Sequence, residues 1–234
     1  MNGTSHDGRL VIFSTHFPAI PLNECSKVFE KRHGVKFEAQ TGPVETWLPR
    51  VKAGEGDIIN VGAEYIMDDI LYEGLVLGET RGTVGYRRSV IIVRNGNPKG
   101  IRTIQDLAEE GIRLLVCIGG CQKGLWDDVA SKVMLTDKIR RNIVQCGSGC
   151  ADTLRRWRAT EGTIDAGIVW NVYKNIAPKD CDSIELPEDI RVMRSTNVAI
   201  TKSSRNPGLA QSFIDFLRSD EGKGFYLKWG WMVA

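Results

Sequence analysis

The sequence predicts an α/β protein of two lobes, each built on a mixed, mostly parallel sheet flanked by helices. Three observations lead to this fold class. A strand–helix–strand–helix–strand rhythm occupies the early part of the chain, the same rhythm returns later, and a strand-rich connection separates the two series. Strands that alternate with helices form parallel sheets with right-handed crossovers. Two such series therefore indicate two lobes.

The first series opens with residues 10–13, a short apolar run typical of a buried parallel strand. A helix is predicted over residues 21–33, because apolar side chains recur at helical spacing and Gly34 stands where a C-terminal cap glycine would. The series continues with a strand at residues 35–39, a helix at 44–53 and a strand at 57–61.

The second series follows a connection with a strand at residues 89–93 and a short helix start at 103–107. Its predicted strands are 113–117, 142–146 and 166–170, with helices at 125–134 and 150–160. Residues 191–193 and 197–200 are expected to be extended. One long helix is predicted over residues 207–227, with an apolar stripe that must pack on an existing lobe.

Composition and motifs argue against several classes of function. The chain has 31 basic and 29 acidic residues among 234, a balance that does not indicate nucleic-acid binding. No apolar run is long enough to span a bilayer. No signal peptide is visible in the polar start, residues 1–8, so we expect either a mature N-terminus from which one has been removed or the start of a shortened chain. Neither a Walker loop nor a dinucleotide fingerprint is present, and no cofactor or metal site is predicted.

Five loops follow predicted strands, at the carboxyl edge where open parallel sheets bind ligands. Four of the five contain glycine or hydroxyl residues, and three lead straight into a helix. Helix N-termini offer free N–H groups and the positive end of a dipole, and glycine lets the backbone approach a ligand. The set predicts a site for a small anion. The loops are residues 14–16, 41–43, 119–124, 147–150 and 170–171.

Several segments in fixed order carry a family resemblance. A small loop precedes a helix that ends in alanine and glycine (residues 41–54), and strands lie at 57–64 and 165–170. The segment 203–222 resembles a C-terminal helix pair. Together these segments resemble the type II periplasmic binding proteins, and within them the molybdate/tungstate-type oxyanion binders. The resemblance implies the periplasmic-binding-protein type II fold with two crossover strands.

The resemblance also implies lobe boundaries and a site. The first lobe would comprise residues 1–88 and 196–234, and the second residues 89–195. Crossover strands near 89–93 and 197–200 would act as hinges for closure over the ligand. Carried over position by position, the expected ligand-binding residues are Ser14, Thr15, Thr41, Gly42, Lys123, Gly124, Gly149, Cys150, Trp170 and Asn171.

The implied function is that of a solute-binding protein, not an enzyme. It would be a monomer outside the cytoplasm, periplasmic or extracellular, that hands a small anion to a membrane ABC permease and binds no nucleic acid. Trp170 replaces the tyrosine that is usual in the family, and Lys123 places a full charge where the family uses dipoles. The ligand therefore stays open between an oxyanion such as molybdate or tungstate and a small organic anion.

Four cysteines flank two of the loops: Cys117, Cys121, Cys146 and Cys150. They should meet at the mouth of the second lobe. Disulfides that tie the loops together, buried free thiols, and a metal site or reactive thiol are three open interpretations. Cys25 and Cys181 fall in different predicted lobes, and no bridge between them is expected.

Two alternatives belong to other functional classes. The same fold serves as the effector-binding domain of LysR-type transcriptional regulators, which need an N-terminal helix-turn-helix. A sensor that binds a small organic or thiol ligand is the second. A nucleophilic pair of Cys150 and His16 lacks an orienting carboxylate in the sequence, which argues against an enzyme.

Overall fold

The computed structural model describes residues 8–233. The polar start predicted to be a mature N-terminus lies, except for Gly8, outside the described residues. The strands are β1 (Arg9–Ser14), β2 (Lys36–Thr41), β3 (Ile58–Val61), β4 (Gly82–Val93), β5 (Leu114–Cys117), β6 (Ile143–Gly147), β7 (Ala166–Trp170), β8 (Asp182–Glu185) and β9 (Met193–Ile200). The helices are α1 (Ala19–His33), α2 (Val44–Lys52), α3 (Glu64–Tyr72), α4 (Leu125–Lys132), α5 (Thr136–Asn142), α6 (Cys150–Ala159), α7 (Val172–Ile176), α8 (Pro207–Arg218) and α9 (Asp220–Lys228). Short 3₁₀ turns lie at Gly78–Thr80, Gln105–Ala108 and Gly120–Gln122.

The chain divides into two compact units. The first comprises the residues up to Tyr86, Ser195–Lys228 and the residues from Met232 on. The second comprises Arg87–Arg194 and Trp229–Trp231. Strands β4 and β9 each contribute residues to both units, so these two strands are the crossovers of the fold.

The sheet of the first unit has the order β2-β1-β3-β9. Strand β1 pairs in parallel with β2 and β3, and β3 pairs antiparallel with β9. Strands β1 and β3 are almost wholly buried, which explains why both are apolar runs. Their carboxyl ends, at Ser14 and Val61, lie at the same edge, and the register pairs Ser14 with Asn60.

An aromatic cluster anchors helices α1 and α8 to this sheet. The ring of Phe29 lies 5.2 Å from that of Phe213 in an edge contact. Phe37 lies 4.5 Å from Phe213, measured between ring centres. Such pairs add to the stabilisation that burial alone gives. The C-terminal helices therefore belong to the core of the first unit.

The sheet of the second unit is mixed. Strand β5 pairs in parallel with β6 and β7, while β4 pairs antiparallel with β7 and β8. The carboxyl ends of β5, β6 and β7 lead into the two glycine loops and Asn171. This edge carries the residues from which the anion site was predicted.

Most predicted strands and helices are found with small shifts at their ends, but β4 begins seven residues before the predicted strand, and the single C-terminal helix is wrong. The chain forms α8 and α9 instead, separated at Ser219, whose backbone is extended (ψ 164°). Ser219 Oγ accepts a hydrogen bond from Gly222 N (3.2 Å), so this serine caps a new helix. The sequence reading also missed α3, α5, α7 and β8. Across residues 8–233, no helix has the length and apolar character to cross a membrane.

Candidate functional site

In the first unit, Ser14, Thr15 and Asn60 meet at the end of β1. Asn60 Nδ2 donates to Ser14 Oγ (3.0 Å), and Ser14 Oγ donates to Thr15 O (3.0 Å). The Ser14 hydroxyl thus acts both as a hydrogen-bond acceptor and as a donor within the first unit. Thr15 Oγ1 and Asn60 Oδ1 are buried and have no hydrogen-bond partner within the described part of the chain. Because buried polar atoms are rarely left unpaired, these two atoms are the candidates for a ligand contact here.

The second loop of the first unit supplies less than expected. Gly42 N donates to Ser14 O (3.0 Å), so this amide is already engaged. A Cβ at Gly42 would stand 2.7 Å from Thr46 Oγ1, which explains the glycine by close packing. Thr41 is exposed at the end of β2 and keeps its hydroxyl in solvent. Of the predicted pair Thr41 and Gly42, only Thr41 has a side chain that could contact a ligand.

In the second unit, the two glycine loops lie against each other. Ile118 N donates to Gly147 O (2.9 Å), and a Cβ at Gly119 would overlap the carbonyl oxygen of Ser148. The contact requires glycine at position 119 for space. Both loops end at a helix N-terminus, α4 after the first and α6 after the second.

The predicted loop residues take distinct positions. Gly124 adopts φ +76°, a left-handed conformation that favours glycine, and caps α4. Lys123 is exposed beside it, and no ion pair engages it within the described residues. Gly149 is extended and caps α6, with Cys150 as the first residue of that helix. Lys123 and the amino end of α6 thus provide positive charge on the two loops.

Cys121 and Cys150 bring the two loops into contact through sulfur. Their Sγ atoms lie 3.1 Å apart, and both residues are buried. Gln122 Nε2 donates to Cys150 Sγ (3.2 Å) and to Tyr173 Oη (2.7 Å), and Tyr173 Oη donates to Cys150 O (3.0 Å). This network fixes the position of Cys150.

The two thiols differ in acidity. The hydrogen bond from Cys150 lowers the pKa of Cys121, and the charge of Arg87 lowers it further, against the opposing effect of burial. The pKa of Cys150 is raised by its hydrogen bond to Cys121 and by burial. Cys121 is therefore the more acidic thiol of the pair, and Cys150 is the less acidic one.

Trp170 ends β7 beside this thiol pair. Its side chain is fully buried, and its indole Nε1 has no acceptor of good geometry among residues 8–233. The indole N–H is still near enough to Cys121 to contribute to the lowered pKa of that thiol. Trp170 thus presents a buried hydrogen-bond donor to the region of the glycine loops.

Arg87 is a fully buried cation in the same cluster. Its Nη1 lies 3.5 Å from Cys121 Sγ, and its guanidinium carbon lies 5.0 Å from the ring centre of Trp170 and 5.7 Å from that of Trp231. Stacking on indole rings favours a cation in a dry site. The sequence reading missed Arg87, although a basic residue within a buried strand is an unusual pattern.

Asn171 has a structural role in the second unit. Its Oδ1 accepts from Arg88 N (3.0 Å), and its Nδ2 donates to Gly230 O (2.6 Å). Both ends of the amide are engaged with backbone, so the side chain joins β4, β7 and the segment around Gly230. Nothing in this arrangement offers Asn171 to a ligand.

All six cysteines are free thiols in the structure. Cys117 is buried, and burial raises its pKa to about 11, while Cys146 is exposed on β6. Cys25 and Cys181 belong to different units. Within the described chain no group of three histidine, cysteine, aspartate or glutamate side chains could hold a metal ion. The predicted disulfides stay a prediction, and the thiol pair in contact is Cys121 with Cys150.

Comparison with known proteins shows which protein family and which relatives the chain resembles in sequence. The family model described as "Bacterial extracellular solute-binding protein" matches residues 10–232. The molybdate-binding protein ModA of Mycobacterium tuberculosis is 25% identical over 157 residues, which cover 67% of this chain and 58% of that protein. The match thus spans less than two thirds of the length of this relative.

Solved structures agree on the fold. PEB3 of Campylobacter jejuni, in a crystal structure described as L-phospholactate bound, is 24% identical with a TM-score of 0.82, covering 96% of this chain and all (100%) of that chain. The periplasmic molybdate-binding protein of Azotobacter vinelandii is 16% identical with a TM-score of 0.77, covering 96% of this chain and 99% of that chain. These likenesses confirm the predicted periplasmic-binding-protein type II fold.

Proposed function

Since the chain belongs to the bacterial extracellular solute-binding proteins, we propose that it binds a small anion outside the cytoplasm and delivers it to a membrane ABC permease. It acts as a carrier rather than an enzyme, in keeping with the binding roles named for its relatives. We propose that it works as a monomer whose two crossover strands, β4 and β9, serve as hinges.

The observation that supports an anion is the buried donor of Trp170. An indole N–H can only donate, so a ligand that satisfies Nε1 must present an acceptor. Arg87 supplies positive charge beside it, and the amino end of α6 adds the positive end of a dipole. A neutral or cationic ligand would gain little from this set.

The first unit contributes neutral polar groups. Thr15 Oγ1 can donate to an anion oxygen, and Asn60 fixes the loop through Ser14. We propose that the ligand-binding residues are Thr15, Thr41, Lys123, Gly124, Gly149, Cys150 and Trp170, with Arg87 added. Ser14, Gly42 and Asn171 are given a supporting role, because their polar groups are engaged within their own units.

Two of the similar proteins are named for ligands that contain a tetrahedral oxyanion group. Molybdate is a tetrahedral oxyanion, and phospholactate carries a tetrahedral phosphate. We propose a tetrahedral oxyanion group as the recognised feature, either free or attached to a small organic acid. A full charge on Arg87 and on Lys123 suits a dianionic group better than a single carboxylate.

A thermal-shift panel tests this function. Molybdate, tungstate, sulfate, phosphate, phospholactate and lactate are added separately to the reduced protein. A ligand at about 100 times its Kd adds about 2.7 kcal/mol to the free energy of unfolding. For a chain of this size that raises Tm by about 5–10 °C. We expect a shift with one or more tetrahedral anions and none with lactate; no shift with any tetrahedral anion would overturn the proposal.

A further inference from the structure

The thiol pair is a feature that anion binding does not require. Cys121 Sγ and Cys150 Sγ lie 3.1 Å apart, 29 residues apart in sequence, on the two glycine loops of the second unit. A disulfide bond is about 2.05 Å long, so the sulfurs need to approach by only about 1 Å. The sulfurs of Cys25, Cys117 and Cys181 instead contact backbone carbonyl oxygens.

The loops hold the pair in this arrangement. The Ile118–Gly147 hydrogen bond and the contact of Gly119 with Ser148 fix the two backbones against each other. A Cβ built on Gly120 lies 4.0 Å from the Cα of Gly149, one residue before each cysteine. The two backbone segments that carry the cysteines therefore lie close together.

The surroundings assign different roles to the two sulfurs. Arg87 Nη1 donates to Cys121 Sγ, which stabilises a thiolate there. Gln122 Nε2 donates to Cys150 Sγ, which lies within hydrogen-bond distance of Cys121 Sγ. The pair thus consists of one more acidic sulfur that can act as a nucleophile and one less acidic thiol that can resolve the product.

We propose that Cys121 and Cys150 form a redox site, which a small peroxide oxidises to a disulfide, and that this oxidation strengthens anion binding. The first half of the proposal concerns the cysteines alone. The second half rests on the proposed function.

The reaction balances as follows. The Cys121 thiolate attacks one oxygen of hydrogen peroxide, the O–O bond breaks, and a sulfenic acid and hydroxide form. The hydroxide takes the proton of Cys150 and becomes water. The Cys150 thiolate then attacks Cys121 sulfur, the S–O bond breaks, and the released hydroxide takes up a proton from solvent. In total the two cysteines lose two electrons, and the peroxide is reduced to two waters.

Oxidation changes the charge next to Arg87. Arg87 Nη1 lies 3.5 Å from Cys121 Sγ and favours negative charge on this sulfur, and such charge in the reduced protein would repel an approaching anion. The disulfide carries no charge. Removal of one like charge from a buried site is expected to strengthen anion binding by about tenfold or more.

The test combines mass spectrometry with calorimetry on the full chain. The protein is treated with one equivalent of hydrogen peroxide, free thiols are alkylated under denaturing conditions, and cross-linked peptides are sequenced. The double variant C117S/C146S leaves Cys121 and Cys150 in place, whereas C121S removes the thiolate but adds no cross-link. Anion affinity is measured by titration calorimetry before and after oxidation, with the tetrahedral anion that gives the largest thermal shift.

We expect a Cys121–Cys150 cross-link in the wild type and in C117S/C146S, about tenfold tighter binding after oxidation, and in C121S a tight affinity that peroxide does not change. Circular dichroism verifies that each variant is folded. Absence of the cross-link from the folded C117S/C146S variant overturns the redox site. A cross-link with unchanged affinity overturns the coupling. If no anion binds in either state, the proposed function fails, while the cross-link still decides the redox site.

Discussion

The guanidinium carbon of Arg87 lies 5.0 Å from the ring centre of Trp170, and both side chains are fully buried. A buried arginine keeps its positive charge and must be stabilised by its surroundings. The indole rings of Trp170 and Trp231 provide part of that stabilisation. The pair places a cation and a donor-only N–H at the same strand end.

We predict that Arg87→Met weakens anion binding more than it weakens the fold. Methionine matches the length of the apolar stem without the charge, and exchange of a buried charge for an apolar group is often tolerated. We expect affinity to fall by about tenfold or more. Arg87→Lys keeps the charge but loses the planar stack on the indole ring. Its anion affinity should therefore lie between those of R87M and the wild type. Calorimetric titration with the bound anion is the measurement; equal affinity of R87M and wild type would count against a ligand role for Arg87.

Trp170 and Trp157 form a matched pair of buried tryptophans in the second unit. Trp157 Nε1 donates to Asp180 O (2.7 Å), while Trp170 Nε1 has no acceptor of good geometry in the described chain. We predict that W157F lowers the free energy of unfolding by about 1–3 kcal/mol through the lost hydrogen bond and leaves anion affinity unchanged. W170F should lose affinity, and its loss of stability should come from the smaller ring beside Arg87 and not from a lost hydrogen bond of good geometry. Urea unfolding measures the stability of both variants, and calorimetry measures their anion affinity. If W157F and W170F lose affinity equally, Trp170 has no specific role in anion binding.

Thr15 offers a similar separation in the first unit. Its hydroxyl is buried without a partner within residues 8–233, so Thr15→Val removes no internal hydrogen bond. We predict an unchanged or slightly higher free energy of unfolding. Anion affinity should fall about ten- to a hundredfold, because a hydrogen bond to a charged group contributes about 1.5–3 kcal/mol.

Thr83→Val in β4 is the control for this substitution. Thr83 is partly exposed in a strand, away from the end of β1, and the same change there should leave affinity unaltered. Parallel binding curves for T15V, T83V and wild type provide the comparison. Equal affinities in all three would remove Thr15 from the proposed site.

The sequence predicts the elements whose signals are local. Apolar runs such as β1 and β7 predict buried parallel strands, and glycines after β5 and β6 predict the loops. The break between α8 and α9 was missed because no proline interrupts residues 208–227. The capping signal of that serine, followed by two acidic residues, was nevertheless present in the sequence.

The site could be predicted only in part, because its chemistry depends on contacts between distant residues. The loops and Trp170 follow from strand ends. Arg87 becomes part of the site only because β4 pairs with β7, and Asn60 only because β3 lies beside β1. The engagement of Asn171 by Gly230 joins residues 59 apart in sequence. No spacing rule within a single strand or helix reveals such partners.

Gly119 is predicted to be essential for space and not for backbone freedom. Its φ of −133° is accessible to any residue, but a Cβ would overlap the carbonyl oxygen of Ser148. We expect Gly119→Ala to lower the free energy of unfolding by about 1–3 kcal/mol, as overpacking does. Gly208→Ala, in α8 with no atom within 4 Å of the new Cβ, should instead be stabilising by up to about 1 kcal/mol. Urea denaturation distinguishes them, and a neutral G119A would show that the loops can separate.

Asp165 holds the start of β7 to the start of β5. Its carboxylate accepts hydrogen bonds from Arg113 N (2.9 Å), Nε (3.1 Å) and Nη2 (2.9 Å), and only 7% of the residue is exposed. Burial alone would raise the pKa of Asp165, but these hydrogen bonds and the charge of Arg113 outweigh it and lower the pKa. The ionised carboxylate is therefore the form that the folded protein stabilises.

We predict that Asp165→Asn lowers the free energy of unfolding by about 2 kcal/mol at pH 7, through loss of charge-assisted hydrogen bonds. Because the folded pKa is depressed, the contribution is complete above the unfolded value of about 3.9 and is lost as pH falls through the folded pKa. The difference between wild type and D165N should therefore shrink below about pH 4. Asp137→Asn, at a side chain that is 86% exposed beside Arg140, should change stability by less than about 1 kcal/mol at any pH. Urea unfolding of the three proteins at pH 7, 5 and 3.5 is the measurement; a D165N deficit that persists undiminished at pH 3.5 would show that charge is not its cause.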